Sequence, residues 1–531
     1  MKKFRSIFAI LLALVLCFAL VACNKAKDEP ATTGDQPAST GGAPDDNSGD
    51  ANILDRVHIL LEAPIQALDP MNVAAAGNGC RVVYRCVMDR LVVNSPEGEY
   101  VPELATRWDV SDDKLTYTFY LRDDVYFHNG QKFTAQDVID TVALAKEAVG
   151  STPYSAYGAI DTITAIDEYT VQCVLGAVNM DFLFNITAPN CSIVNKAAID
   201  ADPVAGKWVG TGAYKVTDFI SSNSVTLTRN DDYWGKKGTT KELYFQFVPE
   251  PAARLIMLEN GETHMVSGGI GVEYMPRVED HPDKYTLVDI ISDLGFTATF
   301  NMNNPVTADK NLRAAIIYCW NVDQIAWIGA EKWAHVPTSG AYWGHTTPYE
   351  NTDLPIRGQD IDLAKQYLAD SNYDGSAIQI MSATEGSIVM AELMAEEMKA
   401  IGINVELFNT DLTSVYSYDT PGGTTTQIVN NLAVFSGAAS SVKSGYYSTG
   451  GGNAGKFSNA EVDRILDEAP AVTDEAQRAA MYKQIQQIYY DEFAGINFYH
   501  RSMPLIFTVD LKGVIVHPEM HHDFRYMYVE K

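Results

Sequence analysis

Strand-like and helix-like segments follow one another irregularly from about Ile53 to the C-terminus of this 531-residue chain. The clearest strand is Leu115–Leu121, where polar and apolar side chains alternate with period two, as they do in a strand with one buried face. The clearest helix start is Thr134, because its hydroxyl can cap a free backbone N–H while Asp137 reaches back to the backbone of Thr134. A chain that mixes the two periods in this way is predicted to fold as an α/β protein.

Composition and charge exclude several classes of protein. Apolar residues make up 46% of the chain and charged residues 20%, which is a globular composition and excludes a disordered or fibrous protein. The length corresponds to about three to five domains or lobes at roughly 100–200 residues each. The formal net charge is −29, and a chain this acidic repels a phosphate backbone, so no nucleic-acid partner is expected.

The first residues have the composition of an export signal. Lys2, Lys3 and Arg5 form a basic start, and an uncharged apolar run follows from Ile7 to Val21. At about 15 residues this run is shorter than the roughly 20 that a membrane-spanning helix needs, and it is typical of a secretory signal. Removing the three basic residues with the signal would take the net charge from −29 to −32.

The end of that segment, Leu20-Val21-Ala22-Cys23, resembles a bacterial lipobox, in which a cysteine is lipidated and becomes the new N-terminus. We therefore expect residues 1–22 to be a lipoprotein signal peptide and Cys23 to be the lipidation site. The alternative is an ordinary signal peptide with an incidental cysteine. Residues 23–52 are rich in Asp, Gly, Pro, Ser and Thr and are predicted to be a flexible tether. The protein would then be anchored on the outer face of the cytoplasmic membrane.

The cysteines of the predicted folded part do not form a recognised metal or redox motif. There is no C-x-x-C, so neither a zinc ribbon nor a thioredoxin-like site is supported. An exported chain can form disulfides, and two pairings, Cys80–Cys86 and Cys173–Cys191, are possible alongside buried free thiols. The five cysteines concerned are Cys80, Cys86, Cys173, Cys191 and Cys319.

No catalytic signature is found, so we predict that the chain is not an enzyme and needs no cofactor. There is no H-E-x-x-H, no G-x-S-x-G and no EF-hand loop. The Gly450–Phe457 segment imitates a phosphate-binding P-loop, but Phe457 stands where a Ser or Thr should bind Mg²⁺. The pair His521-His522 shows no ligand spacing that would indicate a metal site.

Aromatic residues are the better functional clue. The chain has 28 Tyr, 20 Phe and 7 Trp, and four of them fall in a stretch with Pro, Gly and Thr that does not have a helical pattern. Aromatic side chains on loops suit a ligand cleft because they offer large, stiff contact faces. Packing of this loop onto its own lobe is an equally good interpretation. The four residues are Trp333, Tyr342, Trp343 and Tyr349.

One segment carries a resemblance to a known family. Tyr120–Gly130, followed by Phe133–Val138, closely resembles a signature of family 5 extracellular solute-binding proteins, the peptide- and nickel-binding receptors of bacterial ABC importers. Softer matches follow in the family's order through residues 53–531. They are Pro102–Ala105 before Trp108, Gly210–Tyr214, Arg229–Gly235, Phe300-Asn301, Asn311–Ile316, Asn321–Asp323, Met398–Ile403 and Glu461–Asp463.

The resemblance implies a two-lobed periplasmic-binding-protein fold of type II, with an extra subdomain in lobe one and the ligand between the lobes. By analogy, lobe one is 53–298 plus 500–531, the extra subdomain is about 90–207, and lobe two is 303–498. The chain would cross between the lobes near Phe296–Asn304 and near Gly495–Arg501. Both crossings have the alternation of extended chain, and two extended crossings make a hinge.

The resemblance also implies a function: a monomeric, lipid-anchored receptor that captures a peptide or a similar small solute and delivers it to a membrane permease. Dipeptide-type members carry an acidic residue in the stretch that corresponds to Val434–Ala439, and some carry an arginine within Met381–Ser387. This chain has neither. A buried charged terminus left unpaired costs several kcal/mol, so standard dipeptide capture is not expected. A longer peptide, an oligosaccharide or a metal chelate remains open.

Four residues are predicted to contact the ligand: Tyr342, Trp343, Phe435 and Ser436. Gly340 and Gly344 flank the first two and prevent a regular helix there, and the resemblance places this loop of lobe two near the cleft. Two functions of other classes are alternatives, an exported hydrolase and a surface sensor or adhesin. The first needs a catalytic cluster that is not found, and the second would lack a dedicated permease.

The lipid anchor can be tested directly. We expect Cys23→Ala to release the protein from membranes or to stall its processing, because the thiol is the lipidated group. Fractionation of cells that express the variant, followed by immunoblotting, measures this. Unchanged membrane attachment of Cys23→Ala would show that the protein is not a lipoprotein.

Overall fold

The structure, a computed structural model, describes eight ranges of the chain: 53–72, 77–96, 98–337, 339–340, 349–410, 426–434, 439–517 and 520–530. The predicted signal peptide, Cys23 and the predicted tether lie outside the described residues. Among the helices that are described, none is both long enough and apolar enough to cross a membrane.

The strands of the described ranges are β1 (Arg56–Leu61), β2 (Val92–Asn94), β3 (Tyr100–Pro102), β4 (Ala105–Val110), β5 (Thr116–Leu121), β6 (Ile160–Asp167), β7 (Thr170–Leu175), β8 (Tyr214–Ile220), β9 (Ser224–Arg229), β10 (Glu242–Phe247), β11 (Met265–Ser267), β12 (Tyr285–Val288), β13 (Ile291–Phe300), β14 (Ala334–His335), β15 (Ile378–Ser382), β16 (Val405–Asn409), β17 (Ile428–Val434), β18 (Gly495–Ser502), β19 (Leu505–Thr508), β20 (Leu511–Lys512) and β21 (Tyr528–Val529).

The α-helices of the same ranges are α1 (Asn78–Val87), α2 (Ala135–Glu147), α3 (Thr152–Tyr157), α4 (Phe182–Ile186), α5 (Lys196–Ala201), α6 (Pro251–Glu259), α7 (Met275–Glu279), α8 (Lys310–Cys319), α9 (Val322–Ala330), α10 (Ile361–Ala369), α11 (Glu385–Ala400), α12 (Ala439–Tyr446), α13 (Ala460–Glu468) and α14 (Glu475–Asp491). Short 3₁₀ turns occur at Pro189–Cys191, Ala205–Trp208, Val272–Tyr274, Glu331–Trp333 and Ala469–Ala471.

Two large sheets organise the described chain. A seven-stranded sheet has the order β12-β19-β11-β1-β10-β9-β8, and a six-stranded sheet has the order β14-β18-β13-β17-β15-β16. We call the first sheet with its helices lobe one and the second sheet with its helices lobe two. A separate four-stranded sheet, β4-β5-β7-β6, forms the core of the subdomain. Each sheet covers its own buried apolar cluster, so the α/β architecture expected from the sequence is observed.

Two connections within the described residues carry the chain from one large sheet to the other. β12 leads through Asp289 and Ile290 into β13, and β18 leads through Met503 and Pro504 into β19. The backbone N–H of Met503 donates a hydrogen bond of 2.8 Å to the carbonyl of Ile290, which holds the two crossings side by side.

The chain passes from one large sheet to the other at residues 289–290 and 503–504. The first position precedes the predicted crossing at 296–304, and the second follows the predicted crossing at 495–501. Phe296, Ala298 and Phe300 do alternate, but they are buried in the core of lobe two inside β13. Alternation reports one buried face of a strand and does not reveal which sheet the strand joins. The lobe boundaries proposed from the sequence stay a prediction.

Several local predictions are confirmed. β5 covers the predicted strand, and α2 begins after Thr134 with the expected reciprocal capping by Asp137. One local prediction is wrong: the segment Ser458-Asn459-Ala460-Glu461 has the spacing of a capping box and predicts a helix capped by Ser458, but α13 is capped by Asn459, whose side chain accepts from the N–H groups of Glu461 and Val462. Asn is as good an N-cap as Ser, so the two positions compete.

The cysteine alternatives are decided by the structure. All five cysteines of the described residues are free and buried, with no disulfide between them. Burial in apolar surroundings disfavours the thiolate and raises the pKa of Cys80 to about 11. These thiols therefore fill core volume, and the possible Cys80–Cys86 and Cys173–Cys191 bridges are not formed.

A buried ion network lies where the subdomain meets lobe one. Its six members come from the end of α1, the residues around β3 and the C-terminal segment, and none has a side chain more than 14% exposed. The members are Arg85, Asp89, Arg90, Glu103, Asp523 and Arg525.

Arg525 is central to this network. Its Nη2 lies 2.7 Å from Oδ2 of Asp523, and its Nη1 lies 3.8 Å from both Asp89 and Glu103. Burial raises the pKa of Asp89 to about 6, whereas for Asp523 the adjacent Arg525 outweighs burial and lowers the pKa to about 2. The cations and carboxylates balance, so the network joins three separate parts of the chain without leaving an unpaired charge.

Removal of Arg525 is therefore expected to be costly. We predict that Arg525→Met lowers the free energy of unfolding by about 3–5 kcal/mol, because it leaves buried carboxylates without their cation. Urea unfolding measures this. The control is Arg464→Ala, since Arg464 is 47% exposed and pairs with Glu461 and Glu468 on the surface of α13; this variant should cost much less, because exposed ion pairs contribute little to stability. Equal losses in the two variants would contradict the argument.

Candidate functional site

The carboxyl ends of parallel strands in both lobes meet the crossings. In lobe one, β1 and β11 run parallel with Leu61 level with Ser267, and β19 begins beside them at Leu505. In lobe two, β15 and β17 run parallel, and β17 ends at Val434, level with Leu294 near the start of β13. Ligands of open α/β sheets bind beyond the carboxyl ends of the strands. We therefore take these two facing edges as the candidate functional site.

An ion pair joins the edge of lobe one to the crossing strand β18. Glu62 follows β1, and its Oε2 lies 3.3 Å from Nη2 of Arg501 on β18. The same oxygen accepts a hydrogen bond of 3.2 Å from the backbone N–H of Gly269. The two side chains are only partly buried, 22% and 36% exposed, so the pair remains accessible at this edge.

A glycine loop shapes the position of Glu62. Gly268 has φ +110°, and a Cβ atom there would lie 2.6 Å from the carboxyl carbon of Glu62. The guanidinium of Arg254 supports the loop from below, since Nε and Nη2 donate to the carbonyl of Gly269 at 3.0 and 2.6 Å. Glu62 can lie flat against the loop only because position 268 has no side chain.

The crossings themselves carry a second polar cluster. The carboxylate of Asp289 accepts a hydrogen bond from the hydroxyl of Ser502, and Nε2 of His335 lies 2.9 Å from its other oxygen. The hydroxyl of Ser292 donates to the carbonyl of Arg501 at 2.8 Å. One carboxylate thus joins both crossings and β14, which pairs with β18 at the edge of lobe two.

The edge of lobe two is polar and uncharged among the side chains that are described there. Ser382 ends β15 level with Asn430 of β17, and both are fully buried. The amide nitrogen of Asn430 donates to the carbonyl of Ser387 at 2.7 Å. Its amide oxygen and the hydroxyl of Ser382 are buried and make no hydrogen bond to any other described residue. The helix that follows, α11, begins at Glu385 and is capped by Thr384.

The subdomain also contacts lobe two. The backbone N–H of Met180 donates a hydrogen bond of 2.9 Å to the carbonyl of Pro470. The next residue, Asp181, is 9% exposed, and its pKa is raised by burial, an effect that the nearby Arg478 of α14 partly opposes. Lobe two is therefore in contact with lobe one both at the crossings and through the subdomain.

The four predicted ligand contacts, Tyr342, Trp343, Phe435 and Ser436, lie outside the described residues. The two other aromatic residues of that stretch are described, and both are buried: Trp333 is 8% exposed and Tyr349 is 7% exposed. The phenol of Tyr349 accepts a hydrogen bond of 3.0 Å from Nε of Arg478. Tyr349 packs within lobe two, as the packing interpretation expected, whereas Trp333 is buried among apolar residues of lobe one.

A cavity near the same loop is too small for a solute. It is lined by Ser339, Gly340, Arg357 and Tyr490, among others, and has a volume of about 20 Å³. This is room for about one water molecule. The candidate site is therefore placed at the facing edges rather than inside lobe two.

Sequence reasoning missed Glu62, Asp289 and Arg501. A weak signal existed for Glu62, because this acidic residue directly follows the apolar segment Ile59–Leu61 and has a proline two positions after it, at position 64. No signal existed for Arg501, because its partner lies 439 positions away along the chain.

Comparisons with known proteins find relatives along most of the chain. A family model described as "Bacterial extracellular solute-binding proteins, family 5 Middle" matches residues 99–454. The chain is similar to the dipeptide-binding protein of Escherichia coli, 23% identical over 478 residues, which cover 81% of this chain and 86% of that protein. It is also similar to heme-binding protein A of Haemophilus influenzae, 25% identical over 462 residues, which cover 78% and 82%.

A solved structure shows the same fold. The ABC transporter substrate-binding protein CtaP of Listeria monocytogenes matches with a TM-score of 0.79 at 22% identity, covering 90% of this chain and 99% of that one. The fold expected from the sequence, a two-lobed periplasmic-binding-protein fold with two strand crossings, is thereby confirmed.

The role of Gly268 can be separated from simple backbone strain. We predict that Gly268→Ala costs about 1–3 kcal/mol of stability for its positive φ and also pushes Glu62 off the loop. The amide of Gly269 would then lose its acceptor, so its hydrogen exchange, measured by mass spectrometry, should become faster.

The control is Gly261→Ala. Gly261 also has a positive φ, +71°, but open space surrounds the position of its Cβ. This variant should lose stability to a similar degree while the exchange of Gly269 stays unchanged. Unchanged exchange of Gly269 in Gly268→Ala would show that Glu62 is not held by the loop.

Proposed function

This chain belongs to family 5 of the bacterial extracellular solute-binding proteins, and on that premise we propose that it is the solute receptor of an ABC importer. It would capture a small solute between its two lobes and deliver it to a membrane permease. The members compared above are binding proteins by name, which supports a receptor rather than an exported hydrolase.

The observation that carries the proposal is the pair of strand crossings. Two sheets are joined by extended connections, and the carboxyl ends of their parallel strands face those connections. Extended connections absorb rotation between rigid bodies more readily than packed helices do. A solute that contacts both edges would favour the closed arrangement, because closure forms contacts that the open arrangement lacks.

The proposed ligand is a peptide or a similar small solute that is not held by a charge pair at its ends. Two of the relatives named above, a dipeptide-binding protein and a heme-binding protein, have almost the same sequence identity to this chain. Sequence identity therefore does not select the ligand. Val434–Ala439 has no acidic residue, and Met381–Ser387 has no arginine. Buried hydroxyl and amide groups of Ser382 and Asn430 instead suit hydrogen bonds to peptide groups.

An oligosaccharide or a metal chelate is the alternative ligand. Hydroxyl and amide groups also bind sugar hydroxyls, and aromatic faces stack on sugar rings as well as on peptide side chains. We propose Tyr342 and Trp343 as those aromatic faces, and Phe435 and Ser436 as contacts that directly follow β17.

The proposed location is the outer face of the cytoplasmic membrane, with the folded part held by a lipid on Cys23 and a tether of residues 23–52. Family membership supports a position outside the cytoplasm. The lipobox-like Leu20-Val21-Ala22-Cys23 supports the anchor. A receptor that works beside a permease needs to stay near the membrane, and a lipid with a flexible tether does this without restricting closure.

The proposed function predicts that binding and shape are coupled. Native mass spectrometry of the protein purified from its own host should reveal a co-purified solute by its mass. Adding that solute to emptied protein should make the protein more compact in small-angle scattering. At 100 times its dissociation constant it should raise the free energy of unfolding by about 2.7 kcal/mol.

A solute of equal charge and similar size that does not co-purify serves as the control and should change neither quantity. Binding of the co-purified solute without any change in shape would indicate a rigid scaffold, which is the behaviour expected of an adhesin rather than of a transport receptor.

A further inference from the structure

A tryptophan that belongs to lobe two along the chain is buried in the core of lobe one. Trp333 follows α9, a helix that packs against α11 and β18 of lobe two. The side chain of Trp333 is 8% exposed. Its neighbours come from the strands and helices of lobe one, and they form one apolar cluster. The buried members of that cluster are Leu60, Leu255, Leu258, Val266, Ile270, Met275, Val278 and Ile506.

Charged groups close the entrance to this cluster. The ammonium group of Lys332 lies 2.5 Å from Oε2 of Glu279 at the end of α7, and 5.7 Å from the ring of Trp333. The indole N–H of Trp333 is buried and makes no hydrogen bond to any other described residue. Apolar burial, with an ion pair above it, is therefore what holds the indole in lobe one.

The backbone at this point is strained. Glu331 has φ +49° and ψ −134°, an unusual conformation for a residue with a side chain. Such a conformation persists only where the surrounding contacts impose it. The turn from α9 into Glu331–Trp333 is thus imposed by the seating of Trp333 rather than by local preference.

The chain returns to lobe two immediately afterwards. Ala334 and His335 form β14, which pairs with Arg501 and His500 of the crossing strand β18. The His335 side chain also lies 2.9 Å from Asp289, on the other crossing. Trp333 is therefore anchored in lobe one directly beside the two strands on which the lobes turn.

We propose that Trp333 is a third connection between the lobes, a pivot that stays seated in lobe one while the lobes open and close. Two extended strands alone permit bending in several directions. A third fixed point beside them restricts the motion to fewer directions. This inference rests on the proposed function, because a pivot matters only in a protein whose lobes move.

The restriction has a consequence for affinity. A receptor binds its solute in proportion to the fraction of molecules whose lobes can close correctly, so a wider range of lobe orientations weakens apparent binding. Trp333 is thus a positioning residue for the binding site, without touching the solute itself.

The test measures the range of lobe orientations in the mature full-length chain without any solute. Spin labels are placed on cysteines introduced at two exposed positions, Asp218→Cys in lobe one and Lys399→Cys in lobe two. The five described cysteines are buried and do not compete for the label; a chain without the introduced cysteines reports labelling elsewhere. Pulsed electron–electron double resonance then gives the distribution of distances between the two spin labels, and thus between the lobes.

We expect Trp333→Ala to widen this distribution at least twofold and to weaken binding of the co-purified solute by about tenfold or more. The control is Trp327→Ala, because Trp327 lies on α9, the helix that precedes Trp333, but is 57% exposed; it should leave the width unchanged. A lower unfolding midpoint with an unchanged width in Trp333→Ala would show that Trp333 only fills the core, and would overturn the proposal.

Two further variants keep the test decisive if Trp333→Ala does not fold. Lys332→Ala removes the ion pair with Glu279 at an exposed position, and Trp333→Phe keeps an aromatic ring in the cluster. Each variant should widen the distance distribution by a smaller factor than Trp333→Ala. If neither variant widens it, the proposal that Trp333 is a pivot is overturned. Because the distances are measured without solute, a widened distribution in a chain that binds no solute would refute the proposed function alone.

Discussion

The short backbone contact between the two crossings, from Met503 to Ile290, is the constraint on which the rest of the structure depends. It fixes where the two large sheets meet, and thereby brings the carboxyl ends of β1 and β11 towards those of β15 and β17. Neither edge is a site alone, since lobe one offers the carboxylate of Glu62, the crossing strand β18 offers Arg501, and the β15–β17 edge of lobe two offers hydroxyl and amide groups. Both sets of strands end level with residues next to the crossings, Ser267 with Leu505 and Val434 with Leu294, so the hinge and the candidate site share one position.

Charge is distributed in two different ways around this hinge. The network around Arg525 is buried and balanced, which suits a fixed junction between lobe one and the subdomain. The pair of Glu62 and Arg501 is partly exposed and makes a single contact of 3.3 Å, so it is weak enough to exchange partners. The first arrangement keeps lobe one and its subdomain together, while the second leaves groups available to a solute at the edge of the cleft.

Local patterns were predicted where neighbouring residues along the chain decide the structure. The strand β5 and the capped start of α2 depend on residues at most a few positions apart, and both were found as expected. The cap of α13 was misplaced by one residue, because Ser458 and Asn459 are both good caps and the choice depends on packing. Trp333 and Tyr349 were equally compatible with a ligand cleft and with a core, because aromatic residues serve in both.

The sequence by itself determined the α/β class and the order of the family's motifs, and it predicts an export signal with a lipobox-like end, because each of these depends on contiguous residues or on their composition. The tertiary structure alone decided that Arg501 meets Glu62, that the five described cysteines stay unpaired, and that Trp333 is buried in the other lobe. These outcomes depend on residues far apart in the chain, up to 439 positions for Arg501 and Glu62. Hydrophobic burial is not directional, so the residues next to a tryptophan in the sequence do not indicate which apolar core will bury it.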